Sequence, residues 1–341
     1  MYSNKPFSIL SSFLLMILPI YLLGQISNNY DLKQKTEEWF ENNPDSYPHW
    51  LTPDEESSRE HYNRDFYETD PPVGPVINIP EFGPMEGELI RYPFGISYSV
   101  IAEMSEDIMV TTIVSSTGQQ NNVTNQYSSN GVNLNNCNFL IAPSNSYWTR
   151  DYGPWYIIDG NQDLSIVNFP YNRPRPYDND IPIEMADFLG IGLYGMNVIT
   201  AGGNYMTDGM GISASSTLIF EENPSQSQNQ IRDKIEDYLG VPDYHVIDDP
   251  NNTYIDHIDC WAKFLDVDKI LIRSVPSSHA QYDEIEDVVD YFEAQTTAYI
   301  TPFEIYRVYT PQNQPYTNSI ILNSKVLVPI TGSSWDDDAI D

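Results

Sequence analysis

The chain has 341 residues, 40% of them hydrophobic and 13% aromatic, which is enough to fill one large core or two small ones and too apolar for a disordered polymer. Lys and Arg total 16 against 49 Asp and Glu, a net charge of −33, which excludes the basic footprint that a nucleic acid requires and disfavours an anionic membrane surface, while suiting a cationic small molecule or peptide. The two cysteines, Cys137 and Cys260, cannot make a disulfide framework, and the five histidines are scattered singly without zinc-ligand spacing or an EF-hand-like loop, so no metal and no cofactor is expected.

Residues 1–24 hold one lysine, an apolar stretch from Phe7 to Leu23 and then Gly24, the pattern of a secretory signal peptide. The expected location is secreted, periplasmic or at the cell surface, with no membrane attachment after cleavage. Residues 25–85 are acidic and proline-punctuated, with no sustained helical or strand period, and read as a leader, wrapping arm or propeptide. From residue 86 to 341 the texture is that of an α/β domain.

That domain opens with the strand-like ELIRYPF from Glu88, an apolar patch in ISYSVIAEM, and DIMVTTIVSS. A helix is predicted over Asn223–Leu239, with Asn223 as N-cap, Pro224 in the first turn, Ile231, Ile235, Tyr238 and Leu239 on one face, and Gly240 at the end. A second is predicted over about 281–295 with Ile285, Val288, Val289 and Phe292 inward. Around them lie KILIRSV, EIYRVY and the pair SIILN and KVLVPI joined at Asn323-Ser324, all strand-like. Segments rich in Trp, Asp, Asn and Gly recur near 148, 204, 257 and 318, about 50 to 65 residues apart, as a repeated strand-helix unit around an axis would place them.

Four constellations could carry chemistry. In Tyr147–Trp155 an Arg150-Asp151 pair lies between tryptophans, and strand alternation would put one side chain into a cavity and the other into structure; a strand-end ion pair explains it equally well. In Tyr171–Pro176, Arg173 and Arg175 would point the same way from an extended, proline-stiffened segment, a fork for a carboxylate or a means of neutralising neighbouring acids. Gly202–Gly211 allows tight turns but matches neither GxGxxG nor a P-loop, which disfavours a nucleotide. In Tyr254–Trp261, strand geometry would put His257 and Asp259 on one face, an imidazole beside a cation-holding carboxylate, and Cys260 on the other.

Taken in order, WTRDYGPW, YNRPRP, AGGNYMTDG, YIDHIDCWAKFL and PYTNSIILN resemble the bacterial peptidylarginine deiminases of the Porphyromonas type, relatives of agmatine deiminase in the guanidino-group-modifying pentein superfamily. The resemblance covers roughly residues 85–341 and implies a five-bladed α/β propeller with a central active site. It implies hydrolysis of the guanidinium of a peptidylarginine, preferably a C-terminal one, to citrulline and ammonia through a covalent intermediate. By the same resemblance Asp151 and Asp259 would clamp the guanidinium and His257 would be the general acid/base. Trp148 and Tyr254 would wall the channel, Arg173 and Arg175 would bind the substrate carboxylate, and Asp208 and Asn318 would support the site.

The alternatives are an agmatine deiminase giving N-carbamoylputrescine for putrescine biosynthesis, or a non-catalytic secreted guanidinium-binding protein. The resemblance further implies a cysteine nucleophile in a Gly/His-Cys loop late in the fifth blade. Neither Cys137 nor Cys260 matches it, and the expectation is a propeller truncated in its last blade. The expected partners are arginine-terminated peptides or a small guanidinium compound.

Overall fold

Three times in succession the chain makes an antiparallel hairpin, crosses over in a helix and returns as a parallel strand. The first such unit is Trp155–Ile158 and Leu164–Asn168, helix Ile181–Leu189, and strand Gly192–Gly195. The second is Met206–Thr207 and Ile212–Ser216, helix Gln228–Leu239, and Asp243–Ile247. The third is Ala262–Asp266 and Lys269–Ser274, helix Tyr282–Glu293, and Glu304–Tyr309. Parallel pairing demands a long crossover, and a helix with one apolar face covers the sheet as it supplies one. Ahead of these units stands an all-parallel sheet of Gly87–Arg91, Met109–Val114 and Cys137–Ile141, linked by helices Tyr98–Asp107 and Thr117–Ser129. After them comes the hairpin Ile320–Leu322 and Lys325–Leu327, turned at Asn323 with φ 55°. The described residues thus hold five small sheets.

These elements belong to a computed structural model in which residues 31–58, 66–253 and 255–340 are described. The signal peptide read over 1–24 lies outside them. The chain divides into two compact units, Met1–His61 and Tyr62–Asp341.

In the first unit the polar leader has a core of its own. Residues 31–42 are helical, Trp39 meets Trp50 edge to face at 5.3 Å, and the Trp50 indole N–H donates to Thr36 Oγ1 (3.1 Å). Helix Pro53–Ser58 carries a capping box, with Glu55 N–H donating to Thr52 Oγ1 and Thr52 N–H to Glu55 Oε2. The absence of a sustained period over 25–85 is genuine, but short helices stapled by aromatics need none.

In the second unit, Ile77–Asn78 adds an edge strand beside Trp155–Ile158, and Thr69 N–H reaches the Gly195 carbonyl. The arm read up to residue 85 therefore contributes a strand to a sheet of the larger unit. Helix Gln228–Leu239 buries Ile231, Ile235, Tyr238 and Leu239 as expected and ends at Gly240, whose φ of 69° is left-handed. Its start is corrected from Asn223 to Ser227, because Ser227 and Gln230 form a full capping box. Asn223 instead has its side chain bonded to the Ile199 N–H and to the Ile199 and Ile219 carbonyls. Helix Tyr282–Glu293 buries Ile285, Val288, Val289 and Phe292 against the fourth sheet, as its sequence pattern requires. The apolar patch at ISYSVIAEM is the helix Tyr98–Asp107, capped by Ser97.

Candidate active site

Each hairpin of the three repeated units is entered through one short helical turn: Thr149–Tyr152 before Trp155, Gly202–Asn204 before Met206, and Ile258–Cys260 before Ala262. The three turns pack on one another, the middle one touching both others. This placement, repeated at the same point of each unit, gathers residues that are far apart in sequence.

The local geometry differs from strand alternation. Asp151 sits in a helical turn, its N–H donating to the Trp148 carbonyl (2.9 Å), and Gly153 with φ 84° closes that turn before the strand begins. His257 is extended and Ile258–Cys260 is a 3-10 turn, with Asp256 at φ 54° just ahead. The strand assignments at 150–151 and 257–259 are therefore corrected: the Gly-Pro step and the left-handed Asp256 interrupt the pleat.

Even so, Asp151, His257 and Asp259 come together. A Cβ built on Gly203 would stand 2.6 Å from His257 Nδ1, 2.8 Å from Asp151 Oδ1 and 3.0 Å from Asp259 Oδ2. Gly203 is thus the floor on which the three side chains meet, and only a residue without a Cβ leaves them room. His257 is 3% exposed, with Nδ1 3.5 Å from Asp151 Oδ1. Its Nε2 is buried and has no hydrogen-bond partner among the described residues. A carboxylate facing Nδ1 favours the proton there and leaves Nε2 as the basic nitrogen. Burial pushes the Asp259 carboxyl up; His257 and Arg150 oppose the shift, and the like charge of Asp151 adds to it. Two carboxylates and an imidazole on one floor suit a planar cation that donates several hydrogen bonds.

Sequence reasoning missed Gly203 and Asn204 as site residues, although both lie in the glycine-rich segment it singled out. Asn204 is buried and its Oδ1 accepts from Ser216 N–H (2.8 Å) and Ile258 N–H (3.3 Å), tying the middle turn to the one that carries Asp259. It also missed Glu81, which bonds Arg150 and Lys263. Nothing local marks Glu81, because its partners arrive from distant segments.

The remaining expected residues divide. Trp148 caps the Asp151 turn, its ring 4.8 Å from that of Tyr147. Tyr254 lies outside the described residues. Asp208 is buried and holds its own turn, Oδ1 accepting from Met210 and Ile212 N–H (2.8 Å each). Asn318 is exposed, its N–H donating to the Pro315 carbonyl just before the last hairpin. Arg173 and Arg175 do not lie on an extended segment: Arg175 N–H donates to the Arg173 carbonyl (2.8 Å), a tight turn centred on Pro174. Both are buried, Arg175 at 1% exposure. Burial raises the Asp178 carboxyl to about 6 against the opposing pull of its hydrogen bonds from Ser146 and Asn145 and of the Arg175 charge.

Cys137 lies in a strand of the first sheet, and burial pushes its thiol up to about 11. Cys260 is corrected from the opposite face to the Asp259 side: its Sγ lies 3.6 Å from Asp259 Oδ1, while the residue packs on the core of the fourth sheet. Burial, with Asp259 beside it, raises that thiol well above the ordinary range.

The chain is similar to "Putative agmatine deiminase" of Yersinia pestis, 25% identical over 60% of this chain and 68% of that one. Among solved structures it resembles the agmatine deiminase of Enterococcus faecalis, with a TM-score of 0.68, 18% identity and coverage of 77% of this chain and 86% of that one. The C. jejuni agmatine deiminase gives a TM-score of 0.63 at 19% identity, over 77% and 84%. The α/β fold is that of these pentein enzymes, and it accounts for the recurring sheet units. The model of the Porphyromonas-type peptidyl-arginine deiminases matches residues 96–341, and the chain belongs to that family, hydrolases that act on the guanidino group of arginine or agmatine.

Proposed function

We propose that Asp151 and Asp259 hold the substrate guanidinium and that His257 carries the proton in its hydrolysis. The guanidinium carbon gains an oxygen from water and loses one nitrogen as ammonium, leaving a ureido group. The observation that supports this is the convergence of Asp151 Oδ1, His257 Nδ1 and Asp259 Oδ2 on Gly203. Paired carboxylates bind the planar cation through charge-assisted hydrogen bonds. The basic Nε2 can accept a proton from the attacking group and return one to the departing nitrogen. Trp148 and Tyr254 are assigned to the aliphatic stem, and Asp208 and Asn318 to support of the surrounding loops. The nucleophile is assigned to neither Cys137 nor Cys260, both of which hold their protons at neutral pH. The signal-like residues 1–24 support action outside the cytoplasm.

For the substrate, a peptide ending in arginine would use Arg173 and Arg175 against its carboxylate. A second reading, agmatine, is favoured by one observation: both arginines are buried at a tight turn, and Arg175 acts on Asp178. The deciding experiment measures ammonia and ureido product from agmatine and from a dipeptide ending in arginine, with saturable binding of each in parallel. Product from either supports hydrolysis; binding without product leaves a guanidinium-binding protein; neither binding nor product defeats the proposal.

A further inference from the structure

Two cations stand beside the carboxylate that the reading above reserves for a cationic substrate. Lys263, 5% exposed, and the Arg150 guanidinium both act electrostatically on Asp259, together with His257 and Asp151. A buried ammonium seeks a carboxylate, and at Asp259 it would take the substrate's place. Among the described residues neither cation forms an ion pair with Asp259. Both go to Glu81: Arg150 Nη1 lies 2.6 Å from Oε2, and Lys263 Nζ lies 2.7 Å from Oε1.

Glu81 is itself held in place by backbone. Its Oε1 accepts the Ile321 N–H at 3.0 Å, which joins the final hairpin to the residue beside Asp151 and to the strand that follows Asp259. Burial alone would push the Glu81 carboxyl up, but Arg150 and Lys263 hold it at about 2, so it is ionised throughout the physiological range. Glu88 also acts on Arg150, but burial raises its carboxyl to about 7, so it is a weaker counter-charge at neutral pH.

We infer that Glu81 is a positioning residue for guanidinium capture: it takes Arg150 and Lys263 into one three-way ion pair and so keeps both cations off Asp259, leaving that carboxylate for the substrate. This rests on the guanidinium reading of the site. It explains why a cation-binding pocket tolerates a buried lysine and an arginine at its edge.

The test is Glu81→Gln, which keeps the shape and the acceptor for Ile321 but removes the charge. Agmatine is the probe, its affinity measured by calorimetry, and the Asp259 carboxyl titration is followed by 13C NMR with Asp151, His257, Cys260, Arg150 and Lys263 as its charged or titratable neighbours. In E81Q the released cations turn to Asp259, so agmatine binding weakens about tenfold or more and the Asp259 titration moves to lower pH. Adding Lys263→Met to E81Q removes the freed ammonium and recovers most of both. A purely structural role would not be rescued by a second substitution.

An unmoved Asp259 titration in E81Q, or a double variant as poor as E81Q, overturns the inference. Should E81Q alone not fold, the double variant decides against wild type: near-normal affinity and titration are expected, and a tenfold loss overturns it. If the titration shifts and recovers as expected while wild type binds no agmatine, the charge arrangement stands and the guanidinium reading falls.

Discussion

His257 Nδ1 stands 3.5 Å from Asp151 Oδ1 across the backbone of Gly203, although Asp151 leads into the hairpin of one sheet and His257 precedes that of another. The contact exists because both hairpins are entered through turns that pack on a third. It orients the imidazole and leaves Nε2 as the nitrogen that the proposed proton transfer would use.

Removing the charge behind that orientation should be costly. Asp151→Asn is expected to lower turnover of the guanidinium substrate by about 10²- to 10⁴-fold, since it removes one clamp and the group that selects the His257 tautomer. Ureido product measured colorimetrically checks this, with agmatine affinity measured alongside. Turnover within threefold of wild type would remove Asp151 from the site.

Gly203→Ala places a methyl group 2.6 Å from His257 Nδ1 and 2.8 Å from Asp151 Oδ1. Something must shift, and the groups at hand are those proposed to bind the guanidinium and move the proton. Substrate binding and turnover are expected to collapse while the unit that contains them stays folded by circular dichroism. Wild-type binding in this variant would show that the three side chains do not meet on this floor.

Cys260 is expected to be a poor nucleophile. Burial and the Asp259 carboxylate keep its thiol protonated at pH 7, so iodoacetamide should label it far more slowly than an exposed cysteine, with the rate climbing as pH rises. Peptide mass spectrometry of timed samples measures this. Fast labelling of the folded protein at pH 7 would reopen Cys260 as a catalytic candidate.

Asp178 makes stability depend on pH. It is fully buried, accepts from Asn145 N–H, Ser146 N–H and the Ser146 hydroxyl, and burial raises its carboxyl from about 3.8 to about 6. The folded state therefore holds a proton that the unfolded chain has released. The resulting stabilisation is full below pH 4 and disappears as pH rises through 6, a change on the order of 3 kcal/mol. In urea titrations between pH 4 and 6.5, Asp178→Asn should show a flatter dependence than wild type; parallel curves would contradict the assignment.

Ser227→Ala removes one half of the capping box of the helix Gln228–Leu239 and is expected to cost about 1 kcal/mol, with no effect on agmatine affinity. Chemical denaturation reads the first and calorimetry the second. An equal loss from Asn223→Ala through helix fraying would restore the earlier start of the helix.

Much of the α/β texture was legible because it is written in local periods. Ile231, Ile235, Tyr238 and Leu239, and Ile285, Val288, Val289 and Phe292, face their cores because a 3.6-residue repeat leaves them nowhere else to go. The resemblance to the deiminases rested on short motifs, and the matched family extends over residues 96–341. The strand reading of Arg150-Asp151 and of His257–Asp259 failed where backbone geometry departs from the pleat, at Gly153 and Asp256, since alternation assumes an uninterrupted strand.

The amino-acid sequence by itself determined the elements, the family and the identity of the residues bearing charge. The tertiary structure decided which of them meet. Asp151, His257 and Asp259 converge because repeated units place equivalent turns against Gly203, and Glu81 finds Arg150 and Lys263 because three distant segments close on one carboxylate. Ion pairs and shared floors depend on distances of a few ångströms between segments, and no local period carries that information.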